Sequence, residues 1–500
     1  AGISERRFRV MPKRLKFTVF TVLLVCCTSF IYAKAEGTVT ATDITKNVAI
    51  TSEKFSISAI TDDNIATHSA GENAEIAITS EIPMSGIYVK YNKAPQTPGS
   101  LNGVYAIAEN AFLHEYVPLD GTLSATLSYV SADICDIFVF SEGKTPDYVQ
   151  KWEVGEPETD LLLCATHSDD DQLFFAGLIP YYAGHMGLRV RVAYFVNHYD
   201  TYNRTHELLD GLWHCGLKYY PDISPFPDGY SESISGAEGY LASKGISHED
   251  IVAFQRGLLD KYKPLVVVLH DFDGEYGHGA HMLNTATFVE ACENAESGEY
   301  VPEKIYIHLY EQGTLTLDID TPLDEFGGKT AFQVSQDAFR FHKSQHWTWF
   351  YDWIYGKSGN VTLSSQIKSY NPAKYGLYFS SVGADTGRND MFENVETYDV
   401  RIQKELEKQR LEQLEKQKEE EQKRLEEEEN AKKELALKEQ QEKIEQAQKE
   451  AEQRKKYVII AVSAVIIIVI VVLTALILIK TNNKSRRRLG INKHRRSGRK

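Results

Sequence analysis

Cysteine is scarce in this chain, six in 500 residues. Cys26 and Cys27 fall in an apolar N-terminal run, while Cys135, Cys164, Cys215 and Cys292 are scattered without close or metal-type spacing. A disulfide framework and a cysteine-built zinc site are thereby excluded, and a single bridge among the four stays open. Cys164 and Cys215 sit in apolar patterns and are expected in the core. Proline and glycine are both absent from Arg388 to Lys456, so nothing there interrupts a helix. Positive charge is outnumbered, 55 Lys and Arg against 70 Asp and Glu, but the net charge of -15 misleads because it is unevenly spread.

The length suggests two to four domains, and 42% hydrophobic content permits sizeable cores. Residues Ala1 to Val10 precede Met11, the expected start. Lys13, Arg14 and Lys16, the apolar run Phe17 to Ile31 and the small-residue site Ala33-Lys34-Ala35 predict a secretory signal peptide over residues 1–35, leading residues included. An uncleaved anchor is the alternative. From 36 to 151, short alternating runs such as Ala74 to Ile78, Gly86 to Tyr91 and Cys135 to Phe140 are separated by turn residues, which predicts an antiparallel β-sandwich.

From 160 to 398 the pattern changes. Strands are expected near 161–166, 189–196, 264–270 and 303–309, alternating with helices near 171–184, 203–216, 248–262 and 281–295. Such alternation predicts a parallel sheet covered on both faces. The first strand delivers His167, Ser168, Asp169, Asp170 and Asp171 together at its C-terminal end, and the third delivers His270, Asp271, Asp273, Tyr276, His278 and His281. In an open α/β sheet, ligands bind outside the C-terminal ends of the strands. A His and an Asp three apart on the first loop, with a His from the second, make a two-His, one-carboxylate site that leaves a coordination position for water, the build of a catalytic zinc centre. The competing reading of the first cluster is an acidic helix N-terminus that complements the macrodipole.

At these residues the chain resembles the PIG-L or LmbE-like deacetylases. Their motif A-H-P-D-D-E is matched by Thr166, His167, Ser168, Asp169, Asp170 and Asp171; their H-P-D-H by His278, Gly279, Ala280 and His281; and their helical R-x-x-E by Arg204 and Glu207. The resemblance implies a Rossmann-like, three-layer α/β/α domain that binds one Zn²⁺, or another divalent metal, through His167, Asp170 and His281. It further implies Asp169 as general base, His278 as general acid, Tyr276 as oxyanion donor and Arg204 as a substrate contact. Ser168 replaces a proline, Asp171 shortens a glutamate, and Ala280 removes a carboxylate that would flank His278; Asp271 or Asp273 is a candidate substitute. Arg204 and Glu207 also lie one turn apart, close enough to pair with each other. His342, Ser344 and Gln345 resemble the family's H-x-S-Q segment, in an aromatic-rich stretch read as a packed helix. The β-rich region resembles discoidin or galactose-binding-like modules.

Residues 399–456 are charge-rich, with Glu and Lys or Arg recurring four apart and no steady heptad, which favours a solvated single helix over a coiled coil. Such a helix would act as a stalk, with self-association an open possibility. Residues 457–479 are an unbroken apolar run long enough to cross a bilayer. The ten Lys and Arg from Lys480 to Lys500 place the tail on the cytoplasmic side and read as lipid contacts rather than a nucleic-acid patch. These features predict a single-pass cell-surface protein with its N-terminal catalytic region extracellular, and the resemblance implies that it is a deacetylase of N-acetylated amino sugars. The alternative is a non-catalytic glycan-binding or adhesion protein with a degenerate deacetylase domain.

Overall fold

A computed structural model describes residues 39–489. The expected signal peptide over 1–35 lies outside the described residues, as does the basic tail beyond Leu489. The chain divides into two compact units, Ala1–Arg401 and Ile402–Lys500.

The first unit begins with β1 (Ala49–Thr51), β2 (Ser69–Lys93), β3 (Gly99–Leu101), β4 (Tyr105–Ile107) and β5 (His114–Ser141), in the order β1-β2-β5-β3-β4. Residues 69–79 of β2 pair with 124–134 of β5, whereas 86–90 pair with 114–118 on one edge and 136–140 on the other. Gly86 permits this double pairing, since the Tyr116 ring occupies the space a side chain there would need. The expected β-sandwich requires two facing sheets; the hydrogen bonds here run through one five-stranded sheet. Register shifts at Thr79, Met84 and Gly86 explain the difference, because they break the alternation of two long strands into what reads as several short ones.

The α/β part contains β6 (Leu161–Ala165), β7 (Val190–Tyr194), β8 (Asp222–Ile223), β9 (Val266–Leu269), β10 (Lys304–His308), β11 (Thr314–Thr316), the ribbon of β12 (Pro322–Leu323) and β13 (Lys329–Thr330), and β14 (Lys374–Ser380). Its helices are α1 (Tyr202–His214), α2 (Ile234–Ser243), α3 (His248–Tyr262), α4 (Gly279–Glu293), α5 (Ala331–Phe339) and α6 (Trp349–Tyr355). The seven-stranded sheet runs β11-β14-β10-β9-β6-β7-β8. β8, β7, β6, β9 and β10 are parallel, and β14 and β11 add an antiparallel edge.

Alternate residues of β6 enter different clusters: Leu161, Leu163 and Ala165 pack with Leu208, Leu212 and Val334 from α1 and α5, and Leu162 and Cys164 with Leu258, Phe288 and Cys292 from α3 and α4. Both faces are therefore covered, which is why these strands are apolar throughout rather than alternating. Among the described residues, Cys135, Cys164, Cys215 and Cys292 are free and buried.

Residues 171–184 depart from the expected helix. The chain turns through 168–177 and then winds into a π-helical segment, Pro180–His185. Gly177, at φ 86°, breaks the path, and Pro180 withholds an amide from it. The aromatic-rich stretch is also less regular than expected, forming a 3₁₀ turn at Lys343–Gln345 followed by the short α6, with Trp347 83% exposed.

The described residues of the second unit all belong to one helix, α7 (Tyr398–Leu489). Ion pairs four apart, Glu429–Lys433, Glu434–Lys438 and Glu445–Lys449, close at 2.9 Å on its charged part. Among the described residues this is one helix long and apolar enough to cross a membrane.

Candidate metal centre

β6 is the first strand of the α/β part, with β7 and β8 on one side of it and β9 and β10 on the other. The chain therefore reverses its direction of build between β6 and β9, and at such a switch point the loops leaving the two strands part to form a crevice. His167 and Asp170 follow β6, His270 follows β9, and His281 lies in the first turn of α4; all four are buried.

The loop after β6 aims Asp170. Its Oδ2 accepts from the amides of His167 at 2.6 Å and Thr166 at 3.1 Å, folding the carboxylate back over the strand end. There Oδ2 stands 3.5 Å from His167 Nδ1, 3.4 Å from His281 Nε2 and 3.2 Å from His270 Nε2, while His167 Nδ1 and His281 Nε2 are 3.0 Å apart. Tetrahedral donors about 2.0–2.1 Å from a zinc ion stand about 3.3–3.4 Å from one another. The spacing of His167, Asp170 and His281 fits such an ion. Donor atoms of His167, His278 and His281, and of Asp170, His270 and His281, also lie within 4.8 Å of one another.

Charge is arranged accordingly. Burial works against protonation of His167, but Asp228 and Asp170 overcome it and push the imidazole up to about 10. Burial also works against ionisation of Asp170, yet His281 and His270 hold its carboxyl well below the usual range. Asp169 behaves differently: burial pushes it up to about 6, with Arg204 pulling down and Asp170 pushing up. Its Oδ1 lies 3.4 Å from Arg204 Nη2, and its buried Oδ2 has no hydrogen-bond partner.

Arg204 and Glu207 do not pair with each other. Glu207 accepts from the Ser344 hydroxyl at 2.5 Å and amide at 3.0 Å, joining α1 to the 3₁₀ turn. The Tyr276 ring lies edge-on to His278 and His281, at 5.6 and 5.8 Å between centroids. His278 caps α4, its Nδ1 accepting from the Ala280 amide at 3.2 Å. Burial, then His167 and His281, lower its pKa to about 3. Neither Asp271 nor Asp273 replaces the carboxylate missing at Ala280: Asp271 Oδ1 accepts from the Asp273 amide, and no described carboxylate bonds to His278. Asp171 is turned away and structural, accepting from Tyr194 Oη at 2.8 Å and Gln172 Nε2 at 2.5 Å.

Several residues of the crevice were not singled out from sequence. Asp228 Oδ1 faces His167 Nε2 at 3.3 Å, and His198 Nδ1 lies 3.3 Å from Arg204 Nη1. His308 ends β10, and His198 follows β7 by four residues. A histidine at or just beyond the end of each of four parallel strands was a readable signal.

Neither the family models nor the curated proteins contain a match to this chain. Among solved structures it is similar to the 4-carboxy-2-hydroxymuconate hydratase GalB from Pseudomonas putida KT2440, at TM-score 0.29 and 16% identity over 46% of this chain and 100% of that one. It is similar to the N,N'-diacetylchitobiose deacetylase from Pyrococcus horikoshii at TM-score 0.29 and 14% identity, covering 45% and 86%. It is also similar to the A40926 pseudoaglycone deacetylase Dbv21 at TM-score 0.28 and 14% identity, covering 38% and 84%.

Proposed function

We propose that the chain is a metal-dependent N-deacetylase of the PIG-L or LmbE-like type, acting on N-acetylated amino sugars at a cell surface. The observation that carries this reading is the convergence of His167 Nδ1, Asp170 Oδ2 and His281 Nε2 beside a buried, unpartnered oxygen of Asp169. One Zn²⁺ held by His167, Asp170 and His281 would lower the pKa of a water and polarise an amide carbonyl.

The chain's own groups supply the proton movements. Asp169, at about 6, is ionised at neutral pH and takes the proton of the attacking water. Arg204 keeps that carboxylate charged and oriented. The resemblance implies His278 as the general acid; because its Nδ1 accepts from the Ala280 amide, we assign it instead a neutral Nε2–H given to the developing oxyanion, beside Tyr276. As the C–N bond breaks, Asp169 returns its proton to the departing amine, leaving acetate and the free amino sugar. Residues 457–479 anchor the chain in the membrane, with the tail cytoplasmic.

The absence of a carboxylate at His278 favours a second reading, a glycan-binding surface protein without turnover. One experiment separates the two: metal content and acetate release from N-acetylglucosamine and its oligomers, measured on the full chain in detergent. Turnover abolished by Asp169→Asn with metal retained is the expected result. Glycan binding by a metal-loaded wild type that releases no acetate overturns the enzyme reading.

A further inference from the structure

Glu275 lies in the loop that joins β9 to α4, and its side chain is completely buried. Three imidazoles meet its carboxylate. Oε2 is 2.6 Å from His281 Nδ1, and Oε1 is 3.0 Å from both His270 Nδ1 and His308 Nδ1. The Asp271 amide gives the carboxylate a fourth contact, at Oε1 and 3.1 Å. The rings come from α4, from the end of β9 and from the end of β10, so one carboxylate ties three elements together.

The far nitrogens of these rings give the arrangement its direction. His281 Nε2 faces His167 Nδ1 and Asp170 Oδ2, and His270 Nε2 faces the same Asp170 oxygen at 3.2 Å. His308 Nε2 instead lies 3.0 Å from the Asn371 carbonyl, which pins the third ring to the far side of the carboxylate. An imidazole that donates Nδ1–H to a carboxylate keeps its Nε2 lone pair for an ion and is fixed in rotation. Glu275 reaches this position at φ 53° and ψ -81°, in a region that ordinarily favours glycine. The turn directs the carboxylate inward to the three rings, while Tyr276 next to it faces the crevice.

We propose that Glu275 is a positioning residue: it holds His281 in the Nδ1–H tautomer with Nε2 presented to a metal ion. The metal part of this inference rests on the reading of the site given above. Each proposed ligand thus has its own support: His281 is set by Glu275, Asp170 by the amides of Thr166 and His167, and His167 by Asp228.

The test uses the full chain in detergent. Zinc affinity is measured by chelator competition, and the visible spectrum of the Co²⁺-loaded chain reports the coordination geometry. Glu275→Gln, which keeps the size but removes one acceptor oxygen and the charge, is expected to bind zinc about 10- to 100-fold more weakly and to shift the cobalt bands. Glu275→Asp is expected to recover part of the affinity, and it carries the comparison if the glutamine variant does not fold. Equal affinity and superimposable spectra overturn the proposal. A wild type that binds neither ion overturns the metal reading instead, and the tautomer is then decided in the metal-free chain by ¹⁵N NMR of labelled histidine. With the His281 signals identified by their loss in His281→Gln, an Nδ1–H signature present in wild type and absent in Glu275→Gln sustains the positioning role; the same signature in both ends it.

Discussion

Arg204 Nη2 lies 3.4 Å from Asp169 Oδ1, across the gap between α1 and the loop that follows β6. The guanidinium opposes the burial that pushes this carboxyl up to about 6. Removing it should therefore raise the Asp169 pKa further. In Arg204→Met the acid limb of the kcat/KM profile is expected to move to higher pH, because the base must be ionised to act and is protonated over a wider range. An unmoved limb in a pH–rate series would show that Asp169 is not the group being titrated.

Metal binding should depend on pH with a defined sign. His167 carries a proton in the metal-free chain, pushed up to about 10 by Asp228 and Asp170 against its own burial. An ion taking Nδ1 must displace that proton. Below pH 10, affinity is expected to rise with pH by about tenfold per unit, with about one proton released per ion. Chelator competition between pH 6.5 and 8.5 and proton release into a weak buffer measure both quantities.

The parts of this arrangement legible in sequence are those made by short, local signals. Leu161 to Ala165 is apolar throughout because both faces of β6 are covered, and a run of that kind ending in His167 and Asp170 announces both strand and site. Glu275 was not legible, because its role depends on a left-handed turn and on His308, which lies 33 residues away in sequence. The length of β2 and β5 was hidden by register shifts. The helix expected over 171–184 failed at Gly177, whose positive φ is invisible in the apolar pattern around it.

Tyr194 and Asp171 link β7 to the loop after β6. Tyr194 Oη donates to Asp171 at 2.8 Å, and burial pushes this carboxyl well above the usual carboxylate range. Tyr194→Phe removes the donor and leaves Asp171 Oδ1 buried without it. A loss of about 1–3 kcal/mol in unfolding free energy is expected, read by urea denaturation of the full chain. Metal content should be unchanged, since Asp171 points away from His167 and Asp170.

Gly279 stands where the resembled motif has proline, and the packing leaves no room for a side chain. A Cβ there would overlap the Ser233 carbonyl and backbone, and the Gly279 amide donates to the Ser231 carbonyl at 2.7 Å. The loop ahead of α2 is thereby clamped to the first turn of α4, which carries His281. Gly279→Ala must push these segments apart, and His281 moves with its helix while His167 and Asp170 stay with β6. Overpacking of this kind costs about 1–3 kcal/mol. Displacement of one ligand relative to the other two should weaken metal binding as well as stability. The expected result is a lower melting temperature of the metal-free chain together with reduced zinc affinity. A variant that melts lower but binds zinc as tightly as wild type would show that α4 can shift without carrying His281 out of place.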